Sequence, residues 1–232
     1  MTNTLHRYGS PESAADDYIV FVMATKGVND EGSEAKAREF LKVALEYRPV
    51  NLGGGSQGGL YRPTSRLNPF IAYFTSRRHA ISPRVLMQEI EAPGHAAAVF
   101  DNREAFEEFV AAVKKMDLGL SVNASALVED TRCACRKAGF QPHSVEYSLG
   151  FRGRTDRLPD GRVLELTTMC GHGMVSASYA QKMILMVKEG RVTPERASQY
   201  MAKFCSCGVF NPSRATRVLK EAQQGVPAPL GV

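Results

Sequence analysis

The chain has 232 residues, of which 44% are hydrophobic and 23% charged, with 20 glycines, 12 prolines and no tryptophan. This globular composition excludes a collagen, a low-complexity segment and a coiled coil. The formal charge is +5, and residues 151–232 carry twelve Lys or Arg against six Asp or Glu. A positive field of that size attracts anions without demanding nucleic acid.

The longest apolar run near the start covers residues 19–24, far short of the roughly 20 residues that span a bilayer. The opening MTNTLHRYGSPESAADDY lacks the basic start and apolar stretch of a secretory signal, so a cytoplasmic compartment is expected. Five cysteines are an odd number, in a chain long enough to fold without disulfide staples. Thiols or thiolates are therefore expected in place of bridges.

Taken in chain order, residues 18–24 read as a buried strand. Residues 34–47 follow as a helix, with Ala35, Phe40, Leu41, Ala44 and Leu45 near helical period. After the glycine-rich segment 53–59, residues 69–75 read as strand, 83–90 as helix and 96–100 as strand. A helix at 103–116 has Asn102 as its N-cap, and its buried stripe is Phe106, Phe109, Val110 and Val113. Strands at 118–124 and 144–151 flank a helix at 127–137 that Gly139 ends. This alternation predicts an α/β or α+β lobe over residues 1–151, with a mixed sheet and βαβ or ferredoxin-like units.

Beyond residue 151 the composition shifts. Residues 152–161 form a turn-rich basic connector, 163–167 read as a last strand, and the remainder is helical: about 174–189, then from Thr193, then from Asn211. Thr193-Pro194 and Asn211-Pro212 each place a capping side chain before a proline at the first helical position. Residues 152–232 are expected to form a small helical unit carrying the cysteines.

The chemistry is expected there. Cys170-Gly-His172-Gly and Cys205-Ser-Cys207-Gly are short steps on irregular backbone, suited to presenting thiolates to one soft metal. A helical hairpin between them would bring the two steps together. Helix starts beyond each step favour negative charge and so lower thiol pKa. With His172 as fourth ligand the set is Cys3His and suits structural zinc. With His172 free, three cysteines suit a [4Fe–4S] cluster whose open iron is a Lewis acid toward a small anionic substrate, in lyase, hydratase or desulfurase chemistry. His172 is then the catalytic acid or base, and Arg214 and Arg154 orient the anion.

The reading preferred from sequence is the open cluster. The alternatives are a zinc-stabilised module with a basic binding face, a thiol redox or sulfur carrier, and plain packing of free cysteines. The basic residues show no interleaved aromatics, which counts against nucleic acid as partner. Sulfur separation discriminates the metals: about 3.5–4 Å suits tetrahedral zinc, and about 6–7 Å a cubane.

Cys133 and Cys135 lie on a predicted helix, where positions i and i+2 point apart, so they are not expected to share a metal. The glycine-rich segment lacks the Gly-Lys-Ser/Thr ending of a P-loop and follows a helix, so it reads as a surface loop, or as a lid with Arg62 or Arg66. The residues around Ser176 and Ser178 carry no Gly-x-Ser-x-Gly motif for a hydrolase.

Overall fold

The computed structural model describes residues 6–54, 58–62 and 81–228. The predicted strand at 69–75, with Arg66, lies outside them. Among the described residues the fold is α+β, a four-stranded sheet with eight α-helices. The strands are β1 (Tyr18–Met23), β2 (Asn51–Gly53), β3 (His95–Phe100) and β4 (Ser121–Ser125). Their order is β2-β3-β1-β4 and every pairing is antiparallel, so the sheet is not mixed.

The first four helices are α1 (Ser33–Glu46), α2 (Pro83–Gln88), α3 (Arg103–Met116) and α4 (Val128–Lys137). The other four are α5 (Gly161–Thr168), α6 (Ala177–Lys188), α7 (Pro194–Ala202) and α8 (Pro212–Gln223).

The sheet is covered on both faces, which explains why β1 reads as a continuous apolar run. Successive side chains of a strand point to opposite faces. Tyr18, Val20 and Val22 of β1, with Ala96, Ala98 and Phe100 of β3, pack against Phe40 and Leu41 of α1 and Phe106 and Phe109 of α3. Ile19, Phe21, Ala97 and Val99 face the other way, into one cluster with Leu166, Met183, Met201, Phe210, Val218 and Leu219. The helices after residue 151 thus share a hydrophobic core with the sheet. No helix among the described residues is long and apolar enough to cross a membrane.

The predicted caps are formed. Asn102 accepts from Ala105 N, Thr193 from Arg196 N and Asn211 from Arg214 N. Two expectations are corrected. Residues 163–167 belong to helix α5, because Asp160 caps it through Arg162 N and Arg162 pairs with Glu165 one turn on. Residues 144–151 alternate as a strand does, but no strand among the described residues pairs with them and they stand exposed. Leu149 is 76% exposed there, and Gly150 turns the chain with a φ of 67°.

Candidate thiolate centre

Helix α5 runs into a tight turn. Cys170 N–H donates to Thr167 O, Gly173 N–H donates to Cys170 O at 3.0 Å, and Gly173 takes a φ of 65°. That turn places Cys170 at the mouth of the α6–α7 hairpin. At the hairpin's far end Cys205 N–H donates to Ala202 O, and the chain turns through Gly208 (φ 73°) into the Asn211 cap of α8.

The structure brings Cys170, Cys205 and Cys207 together, all buried and none in a disulfide. The Cys205 and Cys207 sulfurs are 3.8 Å apart, and Cys170 is hydrogen bonded to Cys205. Among the described residues, no group of three or more His, Cys, Asp or Glu is arranged as a metal-holding set. The trio forms a chain with Cys205 in the middle.

Backbone amides point at all three sulfurs. Cys170 accepts from the N–H groups of Met174 and His172, Cys205 from Phe210, and Cys207 from Val209. The hydrogen bond with Cys205 holds the Cys207 thiol below its usual value against the opposing effect of burial. Cys170, which donates to Cys205, is pushed far up by that bond, by burial and by the nearby Cys205 charge. At Cys205 the bond from Cys170 lowers the value, but the bond to Cys207, burial and the charge of Cys207 outweigh it and leave it raised.

Gly53, Gly54, Gly58 and Gly59, the described glycines of the glycine-rich segment, form a wall of the same site. Gly53 and Gly59 are bridged, and Gly54 N–H donates to Gly58 O at 2.7 Å. A Cβ on Gly53 would overlap Cys207 O. On Gly59 it would lie 2.5 Å from Gly208 Cα, and on Gly208 2.5 Å from Gly53 Cα. Only glycine permits this backbone-to-backbone contact. Asn51 Nδ2 donates to Phe210 O at 2.8 Å and Arg62 Nη1 to Phe204 O at 2.9 Å, tying both flanks of the segment to the cysteine loop.

The other predicted site residues lie elsewhere. His172 sits on the Cys170 turn with its side chain exposed. Arg154 is exposed and paired with Asp156 at 2.7 Å. Arg214, expected to orient a substrate, is fully buried. It donates to Asp17, Ser13, Glu165 and Tyr8 O, so its guanidinium is spent on the fold.

Arg7, Arg162 and Arg217 extend that network to Asp16, Asp17, Glu165 and Glu221. Three of the twelve C-terminal cations, Arg162, Arg214 and Arg217, thus neutralise buried or half-buried carboxylates. Cys133 and Cys135 sit on α4, Cys133 beside Arg103 and Cys135 buried with its pKa raised by that burial. A comparison with protein-family models, with curated proteins and with solved structures gives no match.

Proposed function

We propose that Cys170, Cys205 and Cys207 bind a single zinc ion, and that this ion braces helices α5 to α8 against the sheet in a metal-stabilised binding module. The observation that carries the reading is the 3.8 Å between the Cys205 and Cys207 sulfurs. It matches one sulfur–sulfur edge of a tetrahedral site at a metal–sulfur length of about 2.3 Å, and loading would have to draw Cys170 in from its place beyond Cys205, since the three do not form a metal-holding set as they stand. Amide donors on every sulfur favour the charged form, although burial and the contacts between the sulfurs leave Cys170 and Cys205 raised and only Cys207 lowered. His172, two residues after Cys170, would have to turn its exposed side chain inward to fill the fourth position. Loading would release the thiol protons, so affinity would rise with pH.

The catalytic reading uses the same three cysteines to hold a [4Fe–4S] cluster, with His172 as acid or base toward a small anionic substrate. It asks for wider sulfur spacing than the 3.8 Å between Cys205 and Cys207. Metal analysis of protein purified without oxygen separates the two. The zinc reading expects a colourless protein with one zinc per chain, lost in Cys207→Ser and Cys170→Ser and retained in Cys133→Ser. Brown protein with iron and acid-labile sulfide would replace it with the cluster. Metal-free protein whose Cys205 and Cys207 oxidise and reduce reversibly would replace it with thiol redox chemistry.

A further inference from the structure

Arg196 and Tyr200 of α7 and Lys203 at its C-cap fall at i, i+4 and i+7 and share a face. The Arg196 guanidinium carbon lies 4.8 Å from the Tyr200 ring centre, and Lys203 Nζ lies 5.7 Å from it. The next residue, Phe204, is 41% exposed. Its ring meets Tyr179 at 4.8 Å with the planes 58° apart, so the pair is tilted and does not stack face to face. Arg62 is held here by its bond to Phe204 O.

Among the described residues neither Arg62 nor Lys203 has a carboxylate partner. The one acid on α7, Glu195, pairs with Lys220 at 2.7 Å. Three cations and three aromatic rings therefore share one surface beside the cysteine loop. In the linear sequence Lys203 and Phe204 are neighbours, and helical period adds Arg196 and Tyr200 to them in space.

We propose that this surface binds single-stranded nucleic acid, with a base on the Phe204 ring and backbone phosphates on Arg62, Arg196 and Lys203. Charge complementarity sets the sign of the partner, and the exposed ring sets its class. An acidic peptide uses only the cations, and a duplex buries its base faces, whereas an unpaired base offers a flat π-surface to the ring. The proposal stands apart from the identity of the metal, since none of these residues is offered as a ligand.

The test is fluorescence anisotropy of the full chain with a labelled 20-nucleotide single strand, competed by the same sequence as duplex and by polyglutamate. Three phosphate contacts predict a salt slope near −2, a loss of roughly twentyfold between 50 and 200 mM salt. Phe204→Ala should weaken binding by about fivefold to a hundredfold, and Phe204→Tyr should restore it. Lys203→Gln should flatten the slope by about 0.7. The proposal is overturned if the single strand does not bind, if polyglutamate or duplex competes as well as the strand itself, or if Phe204→Ala and Lys203→Gln leave the affinity unchanged.

Discussion

Asp17 Oδ2 accepts from Arg214 Nη1 at 2.8 Å across 197 residues of chain, with both side chains essentially removed from water. Arg7 and Asn211 also reach Asp17. Burial alone would raise its pKa, but the Arg7 and Arg214 charges outweigh it and hold the carboxyl below its usual value. A depressed folded pKa stabilises the fold above the unfolded value and loses that contribution as pH falls through the folded value. Asp17→Asn should cost roughly 3–5 kcal/mol near neutral pH by leaving buried cations unpaired. In urea melts at stepped pH, the gap from the parent should narrow below about pH 4. A gap that stays constant down to acid unfolding would show that the pair is not what stabilises.

If zinc braces the helices, removing it is a stability experiment. A strong chelator should lower the melting temperature by roughly 6–12 °C, equivalent to about 3 kcal/mol or more for a chain of this length. Cys207→Ser should melt at the lower temperature with or without chelator, and Cys133→Ser should behave as the parent. Scanning calorimetry on the three proteins checks this. Equal sensitivity of parent and Cys207→Ser to chelator would place the bound metal elsewhere.

The glycine contact makes a sharper demand, since its clashes are with backbone and no side chain can swing away. Gly53→Ala and Gly59→Ala should each cost about 1–3 kcal/mol or more as overpacked positions. Both should also shift the visible spectrum of cobalt-substituted protein, because the group displaced is the Cys207–Gly208 turn. Gly94→Ala is the control. Its Cβ would overlap Ser33 backbone on another part of the fold, so it should lower the melting temperature and leave the cobalt spectrum unchanged.

What could be read from the sequence were features set by local chemistry. Asn102, Thr193 and Asn211 announce helix starts because their side chains take the first amides, and that needs no knowledge of the rest of the chain. The convergence of Cys170 with Cys205 could be anticipated from the hairpin length alone. Features set by distant partners could not. Arg214 looks like a free cation until Asp17 and Glu165 arrive from elsewhere in the chain. Residues 144–151 have a strand's alternation but no neighbour to pair with, and periodicity carries no information about neighbours. The run at 163–167 was too short for apolar content to decide, and the Asp160 cap decided it. The glycines at 53 and 59 read as a surface loop, because nothing local shows that the Cys207–Gly208 backbone packs against them.

On the opposite face of the sheet, Phe109 is the centre of a ring cluster, with Phe40 and Phe100 at 5.1 Å and Tyr47 at 5.6 Å. The Phe40 contact is edge-on, the arrangement that aligns ring edge with ring face and adds to the gain from burial. Phe109→Ala should therefore cost about 3–5 kcal/mol, with Phe109→Leu in between because it keeps most of the volume. Urea unfolding should show the midpoint falling with little change in slope. Since this cluster and the cysteines lie on different faces of β1 and β3, the folded variant should retain its metal and the parent's thiol reactivity. A Phe109→Ala protein that keeps its stability but loses metal would mean that the two faces are coupled through the sheet, and that the helical half cannot be braced by its thiolates alone.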